Sequence, residues 1–169
     1  HANFAYTLPS AEVAVLWATP NGTAIEVERK GTLTIAERHQ IANFADFCNE
    51  CGNCDIFCPE DGGPYVLKPR FFGSASQFHE NVGLDGFHVA REGAVVHVLG
   101  RFAGQPYALD VQGTEANYRG EGFELTCRTD APEACQGRLD RPVDLTYVTL
   151  MAMLAKGVLD SGEVNYLNA

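Results

Sequence analysis

Cys48, Cys51, Cys54 and Cys58 are the residues whose type and spacing most plainly carry chemistry. They are four of the six cysteines, set as C-x2-C-x2-C-x3-C and followed at once by Pro59. That is the spacing of the bacterial ferredoxin run that ligates a [4Fe–4S] cluster. Thiolates two residues apart let a tight loop wrap one cluster. Gly52 lets the backbone pass close to the sulfides with its N–H groups inward, and Pro59 fixes the chain leaving Cys58. Structural zinc is the competing reading. Zinc ligands usually fall in two knuckles about a dozen or more residues apart, and no second pair lies at that distance here. Buried structural thiols are a third reading.

The ligand count poses a problem. In two-cluster ferredoxins the fourth cysteine of each run ligates the other cluster. On that pattern Cys48, Cys51 and Cys54 hold one cluster and lack a fourth ligand, while Cys58 belongs to a second cluster. Cys127 and Cys135, spaced C-x7-C, could complete an isolated cluster, or they are a core strand cysteine and a loop cysteine. The run looks like half of a two-cluster arrangement.

The elements that must position these cysteines read mostly as short strands. Glu12 to Ala18 and Ala24 to Arg29 flank Asn21-Gly22, a strong hairpin signal, and Thr32 to Ala36 suits a third strand. Gln40 to Phe47, leading into Cys48, is read as a strand, although Ile41, Phe44 and Phe47 also fit a helical step. Glu60 to Pro64 is a turn cluster, and a module boundary is placed between Phe72 and Val82. Beyond it Gly86 to Ala90, Ala94 to Leu99, Tyr107 to Val111 and Gly122 to Arg128 suit an antiparallel meander with glycine turns. Asp140-Arg141-Pro142 then opens a helix carrying Val143, Tyr147, Leu150, Met151, Leu154 and Val158 on one face, with Gly157 or Gly162 as its end. The expected fold is α+β: a ferredoxin-like iron–sulfur half-module over residues 1–72, then residues 73–169 as an antiparallel β-meander with a C-terminal helix.

With 169 residues, 46% of them hydrophobic, the chain can bury a substantial core. A formal net charge of −10 gives it no basic footprint for nucleic acid or an anionic membrane. Val143 to Leu159 carries Asp144 and Lys156 and reads as a core helix, not a membrane span. His1 to Ala14 has no basic segment followed by an apolar one. Together with cysteines at metal spacing, this predicts the reducing environment of the cytoplasm. The opening residue is His1, so the sequence is expected to be a piece of a longer protein.

The stretch Phe47 to Tyr65 resembles the C-terminal iron–sulfur region of the "putative selenate reductase" family, large proteins similar to the glutamate synthase small chain. The match is carried by Phe47-Cys48-Asn49-Glu50-Cys51-Gly52-Asn53-Cys54, by Phe57-Cys58-Pro59, by Gly63-Pro64-Tyr65 and by Lys68 to Phe72. The resemblance implies NAD(P)H- and flavin-dependent oxidoreductase chemistry, with FAD and NAD(P)H held in upstream domains. No G-x-G-x-x-G occurs here to hold either. It further implies that Ala2-Asn3 follows an earlier cysteine group, which would supply the missing ligands. Electrons would pass from the flavin through the cluster to a partner redox subunit or acceptor, and this chain would not be catalytic on its own.

Other polar residues have plainer readings. His88 and His97 sit among apolar strand residues and suit satisfied structural histidines; His39 and His79 suit solvent. Glu26 with Glu28 and Glu60 with Asp61 read as solvated faces. Ser74 and Ser76 lack a G-x-S-x-G context. Trp17 and the phenylalanines are core, with Phe47 and Phe57 placed to keep water from a cluster.

Overall fold

A computed structural model describes residues 2–51 and 68–169 of the chain. Twelve strands occur among them: β1 (Asn3–Thr7), β2 (Ala11–Asn21), β3 (Ala24–Ile35), β4 (His39–Phe44), β5 (Arg70–Phe71), β6 (Gly86–Glu92), β7 (Val95–Phe102), β8 (Gln105–Gln112), β9 (Glu115–Gly120), β10 (Phe123–Arg128), β11 (Gln136–Leu139) and β12 (Val143–Asp144). Two α-helices join them, α1 (Ala75–Glu80) and α2 (Thr146–Leu159), with a 3-10 turn at Ala45–Phe47.

Nine strands form one sheet in the order β1-β4-β5-β6-β7-β8-β9-β10-β11, and β12-β2-β3 form a second. The large sheet is mixed, since β5 runs parallel to both β4 and β6 while the other neighbours are antiparallel. It takes strands from both sides of Phe72. Alternation explains the burial: Phe123, Leu125 and Cys127 of β10 face inward while Glu124, Thr126 and Arg128 face out. In β2 the alternation breaks at a register shift between Val15 and Leu16, so Val13 and Leu16 are both buried. Thr146 Oγ accepts from the Leu16 amide across 3.1 Å.

Helix α2 lies against β2, β7, β8 and β1. Its Val148, Met151, Leu154, Ala155 and Val158 are buried with Tyr6, Phe44, Phe71, Val98, Leu109 and Tyr118 of the large sheet. The Tyr118 hydroxyl donates to the Asp144 carbonyl at 2.8 Å, tying the two sheets together.

The ferredoxin-like half-module expected from the cysteine spacing is not what the described residues form. Such a module is organised around its clusters and needs little core of its own. Here Tyr6, Ala42 and Phe44, which precede the cysteines, are buried in the core of the nine-stranded sheet. The chain is mainly β, and the α+β description is corrected accordingly. The expected helix start is corrected as well. Val143 and Asp144 instead pair with Ala18 and Trp17 as β12, and the Asp144 carboxylate accepts from the Thr146 amide at 2.9 Å where α2 begins. Gly157 does not end the helix. A Cβ there would approach the Thr7 carbonyl oxygen to 2.8 Å, so the missing side chain lets α2 lie close on the end of β1.

Among the described residues no helix is long and apolar enough to cross a membrane. The turn expected over Glu60 to Pro64 lies outside the described residues.

Candidate functional site: the mouth of the cysteine loop

The cysteine-bearing segment leaves the large sheet at Phe44 and rejoins it at Arg70. Strands β4 and β5 are parallel neighbours, with Asn43 beside Arg70 and Phe44 beside Phe71. Both ends of the loop are therefore held together, and the Asn43 amide donates to the Pro69 carbonyl at 2.9 Å. This arrangement places the described Cys48 and Cys51 just beyond the end of β4, next to the pairing of β4 with β5.

After Phe44 the chain makes its 3-10 turn, and the Cys48 amide donates back to Ala45 O at 3.1 Å. Cys48 is half-buried and Cys51 exposed, and both are free thiols. Between them Glu50 adopts a left-handed φ of 53°, and the Cys51 amide donates to the Asn49 side-chain oxygen at 3.3 Å. That side-chain-to-backbone bond and the left-handed residue turn the chain sharply. Arg70 of β5 donates to the Glu50 carboxylate at 3.3 Å, and Asp46 accepts from the Gly73 amide at 3.1 Å. A cavity of about 250 Å³ opens here, lined by Asp46, Cys48, Glu50, Arg70 and Phe72 among others.

Phe47, 64% exposed, packs edge-on against Phe44 and Tyr166, which stack on each other at 4.7 Å. It thus packs with these two rings next to Cys48 in the chain. Cys54, Cys58 and Phe57 lie outside the described residues, as do Glu60 and Asp61. Among the described residues no group of three His, Cys, Asp or Glu side chains is placed to hold a metal ion.

The remaining candidates fall elsewhere. Cys127 on β10 and Cys135 just before β11 lie six strands along the sheet from β4, near enough to shift each other's titration. They are not brought to Cys48 and Cys51. His88 Nδ1 contacts the Phe72 carbonyl at 2.9 Å, a structural role. His39 lies on β4 and His79 in α1.

His97 belongs to a polar row that the sequence reading missed. On β7 and β8 it faces Asp110, with Nδ1 2.6 Å from Oδ1, and Arg119 of β9 donates to Oδ2 of the same carboxylate at 2.5 Å. Only the strand register reveals the row. Partial burial would raise the Asp110 carboxyl, but hydrogen bonds from Arg119 and His97 outweigh it and hold the group below its ordinary 3.8. A depressed carboxyl stabilises the fold above the unfolded value and loses that contribution as pH falls through the folded one. Asp110→Asn should therefore cost about 1 kcal/mol at neutral pH. Urea titrations should show the gap from wild type closing below pH 3.8; a gap constant down to acid would contradict the assignment.

No family model matches the chain, and no solved structure matches it. Over 70 residues, 41% of the chain, it is 37% identical to the protein named "Putative oxidoreductase YgfK" of Escherichia coli K12. The same identity and coverage hold for the protein of that name from Escherichia coli O157:H7. The match spans only 6% of the length of either relative.

Proposed function

We propose that this chain is an iron–sulfur electron-transfer segment of a larger NAD(P)H- and flavin-dependent oxidoreductase. The observation that carries the reading is the C-x2-C-x2-C-x3-C-P spacing of Cys48, Cys51, Cys54 and Cys58. The partial similarity to a protein named as an oxidoreductase supports redox chemistry in general. The described part of the site fits a cluster by its donors: two free thiols three residues apart, one exposed and one half-buried, on a loop whose base is closed by β4 and β5.

In this reading Cys48, Cys51 and Cys54 ligate one [4Fe–4S] cluster and Cys58 a second, whose other ligands come from an upstream cysteine group. A bound cluster supplies one-electron transfer. The Arg70 guanidinium, held at the loop's mouth by Glu50, offsets the negative charge of a thiolate ligand set. Phe47, seated on Phe44 and Tyr166, limits the access of water. FAD and NAD(P)H belong to upstream domains, electrons pass on to a partner redox subunit or acceptor, and no residue of this chain is assigned acid–base chemistry.

Anaerobic reconstitution with iron and sulfide tests this. The wild-type chain should bind iron with a broad absorption at the edge of the visible. Cys51→Ser should lose most of that iron, and Cys135→Ser should keep it. The bare chain should also lose its cluster in air, for want of the upstream ligands. A colourless chain holding one zinc, with or without Cys51, would overturn the proposal.

A further inference from the structure

We propose that Cys127 and Cys135 form a cross-strand dithiol that closes to a disulfide by exchange with a small-molecule disulfide of the glutathione class. The β10–β11 register pairs Phe123 with Leu139, Glu124 with Arg138, Leu125 with Gly137 and Thr126 with Gln136. The last pair of the ladder is Thr126 with Gln136, and Cys127 and Cys135 are the residues immediately past it, so the register extended by one step would set them opposite each other.

Hydrogen-bond parity fixes the kind of pair. The Asp140 amide donates to the Gly122 carbonyl at 2.8 Å, which makes 122 and 140 a hydrogen-bonded pair. Antiparallel ladders alternate, so 124 with 138 and 126 with 136 are hydrogen-bonded, and 127 with 135 is not. Non-hydrogen-bonded pairs hold their Cα atoms about 4.5 Å apart with side chains close together. That separation lies within the range of about 4.4–6.8 Å that a disulfide spans without moving the backbone.

The strands also approach closely, because a Cβ on Gly137 would run into the Glu124 carbonyl oxygen. Both cysteines point to the inner side of the sheet, with Cys127 2% exposed and Cys135 partly open to solvent. Their thiols are close enough to shift each other's titration. The neighbouring Cys127 thiol lowers Cys135 to about 7, while Cys135 and burial raise Cys127. The reactive thiolate is therefore the accessible one.

The exchange balances without a further reagent. The Cys135 thiolate attacks one sulfur of oxidised glutathione, whose S–S bond breaks and releases one glutathione thiolate. Cys127 then gives up its proton and attacks the Cys135 sulfur of the mixed disulfide, expelling the second glutathione. Two protein thiols are oxidised to one disulfide, and one glutathione disulfide is reduced to two thiols that take up the two protons.

Mass mapping of the full chain tests the proposal. After exposure to oxidised glutathione, remaining thiols are alkylated in denaturant and the chain is cut with trypsin. Cleavage after Arg119, Arg128 and Arg138 puts Cys127 in peptide 120–128 and Cys135 in peptide 129–138. The expected product is these two peptides joined, lighter by two hydrogens than their sum and carrying no glutathione. In Cys127→Ser, Cys135 should instead retain one glutathione; in Cys135→Ser, Cys127 should be recovered alkylated. Wild-type chain with both peptides alkylated, with separate glutathione adducts, or with Cys127 joined to Cys48 or Cys51 would overturn the proposal.

Discussion

Replacing Arg101 by methionine should destabilise the fold by about 3–4 kcal/mol, although the residue is remote from the cysteine loop. Arg101 is 4% exposed on β7. Its guanidinium donates to the carbonyls of Phe78 at 2.9 Å, Asn81 at 2.9 Å and Leu84 at 2.7 Å. It also lies over the Phe78 ring at 4.2 Å. Phe78 and Asn81 belong to the C-terminal end of α1, where carbonyls lack helical partners and a cation is favoured. Methionine fills much of the volume but removes all three bonds; Asn81 O keeps the Leu84 amide at 3.0 Å, whereas the Phe78 and Leu84 carbonyls lose the guanidinium, and an unsatisfied buried acceptor costs about 1–3 kcal/mol.

Lysine keeps the charge but cannot fork towards three acceptors, so Arg101→Lys should recover less than half of the loss. For a chain of this length the methionine variant should melt roughly 6–16 °C lower. Calorimetry and urea unfolding would check both variants. A methionine variant within about 0.5 kcal/mol of wild type would mean that water replaces the guanidinium at those carbonyls.

The consequences of Arg101 were closed to sequence reading for a simple reason. A basic residue between Gly100 and Phe102 reads as the end of a strand and the start of a polar turn. Its partners come from a six-residue helix whose sequence, Ala75 to Glu80, carries a single buried apolar side chain, Phe78. Strand β9 was missed in the same way. Its Glu115-Ala116-Asn117-Tyr118-Arg119-Gly120 is polar and glycine-flanked, and it is a strand because β8 and β10 pair with it on both sides. By contrast β6, β7, β8 and β10 overlap the short apolar runs expected as strands, and β10 writes its inward face into every second residue.

Strand order was the larger gap. Periodicity marks that a segment is extended, not which neighbour it takes. The parallel pairing of β4 with β5 and of β5 with β6 joins segments separated by the cysteine loop and by α1. No local pattern encodes it, and this pairing turned an expected half-module into the flank of a nine-stranded sheet. The thiol spacing was legible because ligation chemistry is local. The facing of Cys127 and Cys135 was not, because Gln136-Gly137-Arg138 carries no strand pattern of its own.

Phe71→Ala should cost about 3–5 kcal/mol and loosen the base of the cysteine loop before the rest of the sheet. Strand β5 has two residues, too few for a ladder to hold unaided, and it is the parallel link between β4 and β6. Its anchor is the Phe71 side chain, fully buried among the rings of Phe4 at 5.8 Å, Tyr6 at 6.3 Å and Phe87 at 5.7 Å. Truncation removes those contacts at one point and leaves a cavity between β1, β4 and β6, whereas leucine should cost roughly 1–2 kcal/mol. Cys48 lies just beyond Phe44, the residue paired with Phe71, so it should report the loosening. Under native conditions alkylation of half-buried Cys48 should speed up by about tenfold or more in Phe71→Ala. Exposed Cys51 should change little, and buried Cys127 should stay protected. Equal acceleration at Cys48 and Cys127 would show that the variant opens globally, and that β5 does not act as a separate clasp on the loop.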